Sequence, residues 1–202
     1  MKNLIVQLRI SLVATLFLAL ILCGVYPLTV WVLAQGVFPY RANGSLVKEN
    51  DRLLGSRLIA QGFQSPKYFH PRPSAAGQGY DATRSGGTNL GPLSGKLVET
   101  VRQRAEEYRN KNNLPPDAPV PADAVTASAS GLDPHISLKN ALVQAHRVAR
   151  GRGLSENLVL KQVELHTEGR DLGILGEPRV NVLMLNLALD RMSTETTSKG
   201  TD

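Results

Sequence analysis

The longest apolar stretch of the chain lies at its N-terminal end. No charged residue occurs between Arg9 and Arg41, and the run reads ISLVATLFLALILCGVYPLTVWVLAQGVFPY. A helix needs about 20 apolar residues to cross the hydrocarbon core of a bilayer. The run therefore predicts one transmembrane helix, which we place at residues 10–35. Aromatic residues gather toward its far end, as in the interfacial belt of a membrane span: Tyr26, Trp31, Phe38 and Tyr40.

The charges before this run predict its orientation. Residues 1–9 carry Lys2 and Arg9 and no acidic residue, so the positive-inside rule places them in the cytoplasm and the following domain outside.

Two other interpretations of the apolar run fit less well. A cleaved signal peptide has an apolar region of only about 7–15 residues, and lipid attachment at Cys23 is disfavoured by the bulky Leu22 before it.

Beyond the apolar run, the pattern predicts one domain of mixed helices and short strands over residues 36–191. Residues 70–92 are rich in Gly, Pro, Ser and Thr, and neighbouring aromatic residues offer them anchors, which predicts a long ordered loop. A helix is expected from near Ser94, since apolar residues recur there on one helical face: Leu97, Val101, Ala105 and Tyr108. The proline-rich residues 112–123 cannot continue that helix.

Two further helices are predicted. The first starts at DPHIS, with Asp133 as its N-cap and Pro134 as its first residue, and ends at the GRG of residues 151–153. Its expected core stripe comprises Leu138, Leu142, Ala145 and Ala149. The second runs from Ser155 to near Gly169.

The C-terminal apolar run from Val180 to Leu189 fits either a strand or a helix. We favour a strand-like entry followed by a helix from about Asn181. The polar residues 192–202 are predicted to be a disordered tail. Helices combined with a few short strands predict an α+β fold.

Composition narrows the function class. The formal net charge is +6, with basic residues spread along the chain, and only 5% of residues are aromatic. This pattern argues against a nucleic-acid partner, which needs clustered basic residues or a base-stacking platform. A single cysteine and four histidines without an i, i+4 pair predict no metal site.

The stretch TASASGLDPHIS, residues 126–137, contains the residue types of a serine hydrolase. Ser128 and Ser130 do not stand in G-x-S-x-G, however, and Asp133 and His135 are accounted for by the predicted helix start. We therefore favour a structural turn. A membrane-anchored periplasmic serine hydrolase using Ser130 and His135 remains the alternative, and an envelope-binding module is a third possibility.

Five segments, taken in order along the chain, are more specific than any single motif: YFHPRPSA, SGGTNLGP, TASASGLDPHIS, ALVQAHRVA and GEPRVNVLMLNLALD. They resemble recurring segments of the C chain of the bacterial potassium-transporting ATPase, the KdpC family of the Kdp high-affinity uptake complex. The resemblance covers about Leu8 to Asp190. Small departures from the family pattern, such as SAS and Thr88, remove no hydroxyl group.

The resemblance implies a non-catalytic assembly subunit of a four-part complex in the bacterial inner membrane. The implied partners are a channel-like potassium-binding subunit, a P-type ATPase subunit, a small hydrophobic subunit and the lipid bilayer. The resemblance also implies a catalytic chaperone role that raises the ATP affinity of the pump subunit. Gln144 stands at the position of the glutamine assigned to nucleotide contact. No cofactor is expected to bind firmly, and ATP is expected only in a transient complex with the pump subunit.

Eight residues within or near these segments are candidates for contact with a partner subunit or for an internal structural role. They are Arg72, Asn89, Ser130, Asp133, Pro134, His135, Arg147 and Arg179. For each of them a structural role is the simpler interpretation. No residue is assigned a catalytic or metal-binding role, and the TASASGLDPHIS segment is expected to shape a protein–protein surface.

Overall fold

The structure, a computed structural model, describes residues 2–198, with side chains described for residues 3–192. The chain divides into two compact units, Met1–Leu46 and Val47–Asp202. The first unit contains α1 (Lys2–Ala19), a π-helical segment (Leu20–Val25), α2 (Tyr26–Val37) and the short α3 (Pro39–Ala42).

The N-terminal helix is continuous over Asn3–Val37 and is long and apolar enough to cross a membrane. It starts earlier than the predicted residue 10. Pro27 lies at the start of α2 and has no N–H to donate to the preceding turn. The helix widens into its π-helical segment just before this proline, which is a common way to accommodate an interrupted hydrogen-bond ladder.

The second unit combines helices with two small sheets, as predicted. Its elements are β1 (Leu46–Glu49, beginning at the last residue of the first unit), β2 (Arg52–Ser56), α4 (Gly95–Lys111), α5 (Ala122–Val125), β3 (His135–Ser137), α6 (Leu138–Arg152), α7 (Glu156–Leu165), β4 (Thr167–Glu168), β5 (Arg179–Asn181) and α8 (Val182–Ser198). Strands β1 and β2 form one sheet. The other has the order β3-β5-β4, and both of its pairings are antiparallel.

The core lies where α6, α7 and α8 pack together with the three-stranded sheet. Its buried members are Phe69, Ile136, Ala141, Ala145, Val148, Ala149, Val159, Val163, Val180, Val182, Leu185 and Leu189. Of the predicted α6 stripe, Ala145 and Ala149 belong to this core and Leu138 packs against it. Leu142 is 47% exposed, because the buried face of α6 is rotated toward the polar side chains described below.

The predicted helix start at Asp133 and Pro134 is wrong. Oδ1 of Asp133 accepts a hydrogen bond from the backbone N–H of His135 (3.0 Å), a local turn that leads into β3. Pairing with β5 then holds these residues extended. Helix α6 begins only after Ser137, whose hydroxyl accepts from the backbone N–H of Asn140 (3.1 Å) as the N-cap.

Most other predicted boundaries agree with the structure. Helix α4 starts directly after Ser94. Helix α6 ends at Arg152 and is followed by Gly153, which adopts the left-handed conformation (φ 66°). Helix α7 ends before the predicted Gly169, because residues 167–168 pair with β5.

The C-terminal run enters as strand β5 and turns into α8 at Val182, which confirms the predicted strand entry and helix. Helix α8 continues to Ser198, beyond the predicted start of the tail at residue 192. Residues 199–202 of that predicted tail lie outside the described residues.

Candidate functional site

Two buried side-chain amides hold the long loop that joins β2 to α4 against the helices. Oε1 of Gln144, in α6, accepts from the backbone N–H of His70 (2.8 Å), and its Nε2 donates to the carbonyl of the same residue (3.1 Å). Asn186, in α8, makes the same pair of bonds to Phe69 (2.8 and 3.0 Å). The two amides replace water for four backbone groups of the loop. We call Phe69, His70, Gln144 and Asn186 the amide clamp.

A buried cation lies beside the clamp. The guanidinium of Arg147 donates from Nε to Oδ1 of Asn112 (2.9 Å) and from Nη2 to Oε1 of Gln144 (2.7 Å). Its Nη1 donates to the carbonyls of Pro66 (2.6 Å) and Tyr68 (2.9 Å). Burial lowers the pKa of Arg147 to about 10. Its partners in the described part of the chain are neutral oxygens rather than a carboxylate, so the group contributes a positive potential to its surroundings.

The polar network extends along α6 through Asn140. Oδ1 of Asn140 accepts from the hydroxyl of Tyr108 (2.7 Å) and from Nε2 of Gln144 (2.9 Å). Its Nδ2 donates to the carboxylate of Asp123 (3.0 Å), which also accepts from the backbone N–H of Ser137 (2.8 Å). Both donors and both acceptor positions of the Gln144 amide are thereby used. A ligand can hydrogen-bond this amide only if one of those bonds is broken.

A cavity of about 490 Å³ opens over this network. Aromatic and basic side chains in its lining include Phe63, Tyr80, Tyr108, His70, Arg104 and Lys111, and Glu107 adds a carboxylate. Burial, with the positive charges of Arg147 and Lys111, lowers the pKa of His70 to about 4. Burial also raises the pKa of Tyr108. At neutral pH the histidine is therefore uncharged.

A second polar cluster surrounds the start of β3. Arg72 pairs with Asp133 (3.0 Å), and Nδ1 of His135 lies 3.4 Å from the other carboxylate oxygen of Asp133. Burial acts to raise the pKa of Asp133, but hydrogen bonds from His135 and from the Arg72 guanidinium outweigh it, so the pKa lies below its ordinary value. These residues tie the long loop to the sheet.

The same cluster continues across the sheet. Oε2 of Glu168 lies 3.7 Å from Nε2 of His135, and this carboxylate also pairs with Arg57 (2.6 Å) and Arg179 (3.3 Å). Burial acts to raise the pKa of Glu168, but the bonds and charges of these neighbours lower it overall. Arg179 reaches a second carboxylate, that of Asp171, at 3.3 Å. The sequence candidates Arg72, Asp133, His135 and Arg179 thus belong to one polar network, in which His135 lies between the Arg72–Asp133 pair and the ion pairs of Glu168.

Ser130 and His135 share no hydrogen bond in the described structure. Oγ of Ser130 accepts from the backbone N–H of Leu132 (3.1 Å) and lies 3.4 Å from Oγ of Ser128. Its carbonyl accepts from the backbone N–H of Gly86 (2.9 Å). A serine nucleophile needs a base within hydrogen-bond reach, so this geometry favours the structural turn that the sequence indicated.

The two remaining candidates occupy different environments. Pro134 is buried, and its carbonyl accepts from the backbone N–H of Val182 at the start of α8 (3.0 Å). Asn89 is exposed and adopts the left-handed conformation (φ 52°), which asparagine tolerates better than most residues. The first position is structural, whereas the second is open to contact from outside.

Comparison with known proteins identifies relatives over nearly the whole length. The family model described as "K+-transporting ATPase, c chain", KdpC, matches residues 8–191. The chain belongs to the KdpC family. A potassium-transporting ATPase KdpC subunit of Koribacter versatilis is 52% identical over 189 residues, which cover 94% of each chain. Its counterpart in Nitratidesulfovibrio vulgaris is 55% identical over 188 residues, or 92% of this chain and 94% of the relative. That of Myxococcus xanthus is 56% identical over 181 residues, or 88% and 84%.

In this KdpC-family chain, sequence reasoning missed the buried amides other than Gln144. Asn186 stands between Leu185 and Leu187 in an apolar helical run, and Asn140 lies on the buried face of α6. A lone amide inside an apolar stripe is itself a signal, because a buried amide needs partners. The pattern could have predicted that partners exist, but not that those of Asn186 are backbone groups of the long loop.

Proposed function

We propose that this chain assembles and stabilises a potassium-transporting ATPase complex as a non-catalytic subunit of the bacterial inner membrane. The observation that carries the proposal is the family match over residues 8–191, together with the KdpC subunits that are 52–56% identical. A helix at Asn3–Val37 that is long enough to cross a bilayer supports membrane anchoring. Lys2 and Arg9 favour a cytoplasmic N-terminus, with the domain on the outer face.

The proposed partners are a channel-like potassium-binding subunit, a P-type ATPase subunit and a small hydrophobic subunit. In this scheme the pump subunit carries out ATP hydrolysis, and the present chain contributes structure. The environment of the chemically active side chains supports a structural role. Gln144 and Arg147 are committed to hydrogen bonds with the loop and its surroundings, and Asp133 and His135 lie in the polar network around the start of β3.

The test is purification in mild detergent through a tag at the C-terminus, with the co-eluting chains identified by mass spectrometry. We expect a P-type ATPase and a large polytopic channel-like protein to elute with the chain. Elution of the chain alone and intact, from cells that express all the subunits, contradicts the proposal. Ser130→Ala separates it from the alternative: a hydrolase loses turnover, whereas potassium-stimulated ATPase activity of the complex is expected to stay unchanged.

A chaperone effect on ATP affinity is the finer part of the proposal. The saturated hydrogen bonding of Gln144 argues that its effect is indirect, through the position of the long loop rather than through contact with nucleotide. A domain on the outer face also lies away from cytoplasmic ATP. We therefore assign ATP binding to the pump subunit and no firmly bound cofactor to this chain.

A matched pair of variants tests this indirect route. Gln144→Ala and Asn186→Ala each remove one half of the amide clamp, and only the first removes the residue implicated in nucleotide contact. If the loop transmits the effect, both variants raise the KM of the complex for ATP by a similar factor. A rise confined to Gln144→Ala indicates direct contact and contradicts the indirect route.

A further inference from the structure

A second cavity, of about 420 Å³, is lined by residues of α4, of the long loop and of the segment at the end of α5. We call it the α4 cavity. Its volume lies within the range of small-molecule sites, about 300–1,000 Å³. The lining combines leucine, valine and alanine side chains with five polar ones, which are Thr88, Lys96, Thr100, Arg104 and Thr126.

The charged residues of this lining are both cations. Lys96 and Arg104 take part in no ion pair among the side chains that the structure describes. Nη1 of Arg104 donates to the carbonyl of Val125 (3.1 Å), and its other N–H groups have no hydrogen-bond partner in the same set of side chains. In the cavity over the amide clamp, by contrast, Glu107 is part of the lining and pairs with Lys111 (3.5 Å). The α4 cavity therefore has two cationic groups and no carboxylate in its lining.

The sequence of α4 places its three polar lining residues together. Lys96, Thr100 and Arg104 recur every four residues, so they lie on one face of the helix. Lys96 and Arg104 stand about 12 Å apart along the helix axis. A group that lies beside Thr100 is between them, and both long side chains already line the cavity around it.

The hydroxyl groups of the lining differ in their availability. Those of Thr100 and Thr126 already donate to backbone carbonyls (2.8 and 2.7 Å). The hydroxyl of Thr88, in the long loop, has no hydrogen-bond partner in the part of the chain that the structure describes. The α4 cavity thus offers hydrogen-bond donors from α4 and from the loop, and two of the three donor groups are charged.

We propose that the α4 cavity binds an oxyanion of the phosphate class, with Lys96, Arg104 and Thr88 as its donors. Phosphate oxygens accept charge-assisted hydrogen bonds from lysine and arginine, which are stronger than neutral ones. The lining contains no aromatic residue, so it has no platform on which a nucleobase would stack. The ligand is therefore a simple phosphate group, and the bound ion joins α4 to the long loop.

Two sources can supply this chemistry. One is free phosphate, and the other is the phosphate of an anionic lipid headgroup. The apolar members of the lining, Leu90, Leu97, Val125 and Ala127, leave room for an aliphatic group attached to the phosphate. The donors are the same in both cases, so binding is tested first and the source second.

Isothermal titration calorimetry with inorganic phosphate tests the site. The full-length chain is freed of lipid in dodecyl maltoside and titrated at constant ionic strength. We expect saturable binding that Lys96→Gln with Arg104→Gln weakens at least tenfold, because the loss of one charge-assisted hydrogen bond often weakens binding by that factor. Arg84→Gln with Arg102→Gln removes the same charge from exposed positions outside the lining. Absence of saturable binding, or equal weakening in both double variants, overturns the proposal.

Repetition in lipid bilayers distinguishes the two sources. The phosphate titration is compared between bilayers containing phosphatidylglycerol and bilayers given the same surface charge by oleate, which has no phosphate. If the lipid headgroup occupies the site, the apparent affinity for phosphate is at least tenfold lower with phosphatidylglycerol. Equal affinity in the two bilayers assigns the site to free phosphate. Both results retain the oxyanion site.

A single variant guards against loss of fold. Arg104 donates a hydrogen bond to Val125, whereas Lys96 is exposed and its ammonium group makes no hydrogen bond to the described side chains or backbone. Lys96→Gln alone is expected to keep the circular dichroism spectrum and to bind phosphate about tenfold more weakly. A folded Lys96→Gln chain with unaltered affinity counts against the site. Partner subunits do not enter these measurements, so their outcome is independent of the proposed function.

Discussion

The long loop between β2 and α4 differs from the hairpin connection between β4 and β5, residues 169–178, in how its backbone and side chains are placed. The long loop buries Phe69 completely and has its backbone bonded by amides from α6 and α8. The hairpin connection satisfies its own backbone locally and leaves Leu172, Ile174 and Leu175 exposed. The first loop stabilises the domain from within, whereas the second offers contacts that the domain itself does not use.

The largest expected effect comes from breaking the clamp. Asn186→Ala leaves the buried N–H and C=O of Phe69 without partners, and each unsatisfied group costs about 1–3 kcal/mol, or about 2–6 kcal/mol together. Chemical unfolding of the full-length chain in detergent measures this loss. Asn110→Ala, at an exposed position of α4, is the control. Equal stability of the two variants contradicts the role given to the clamp.

Two glycines, Gly131 packed against the long loop and Gly173 in the hairpin connection, differ in the space around them. Gly131 has φ 68°, and a Cβ there meets the backbone N of Ala76 and the carbonyl of Gly86 at 2.7 Å. Gly173, in the hairpin connection, has φ 78° and open space around it. Alanine at either position costs about 1–2 kcal/mol for the left-handed conformation, and overpacking adds about 1–3 kcal/mol at Gly131 alone. Thermal unfolding of both variants is expected to show the larger loss for Gly131→Ala.

The next largest effect is the pH dependence of stability that His70, in the long loop, is expected to cause. Since the pKa of His70 is lowered from 6.5 to about 4 in the folded chain, the unfolded chain binds this proton first as the pH falls. Stability is therefore full above pH 6.5 and declines between pH 6.5 and about 4. His70→Gln removes this slope, measured by unfolding at a series of pH values. If the slope persists in His70→Gln but disappears in the exposed-site control His146→Gln, a group other than His70 causes the pH dependence.

The smallest effect on stability is expected at the exposed aliphatic side chains of the hairpin connection. Leu172→Ser and Ile174→Ser remove side chains that are 89% and 75% exposed, and exposed substitutions of this kind usually shift stability by no more than about 0.5 kcal/mol. Their unfolding curves are therefore expected to overlay that of the unaltered chain. A loss above about 1 kcal/mol means that these side chains stabilise their own domain, which removes the contrast between the two loops.

Hydrophobic periodicity predicted the elements whose conformation depends mainly on their own sequence and little on tertiary contacts. The N-terminal helix, α4 and the strand-to-helix change at Val182 all follow from local pattern. The start of α6 did not, because Asp133 and Pro134 carry a valid local capping signal that loses to the pairing of β3 with β5. Tertiary pairing overrides propensity in this way wherever partners lie far apart in sequence.

In the candidate site too, the sequence indicated some side chains, but only the fold shows their partners. Resemblance to the KdpC family pointed to Gln144, but its partner, the backbone of His70, is visible only in the fold. Arg147 was a candidate without an assigned partner, and its acceptors include the carbonyls of Pro66 and Tyr68. Every residue type has the same backbone carbonyl. A sequence can therefore identify the donor side chain but not the carbonyl that it binds.

The amide clamp also determines when the domain can finish folding. Phe69 and Asn186 are 117 residues apart along the chain, and His70 and Gln144 are 74 apart. Closing such spans carries an entropic cost that must be met before the contacts form, which slows folding. A chain synthesised from its N-terminus cannot complete the clamp until α8, which carries Asn186, has been made. During synthesis we expect this loop to be open to proteases and chaperones, and the last helix to complete its protection.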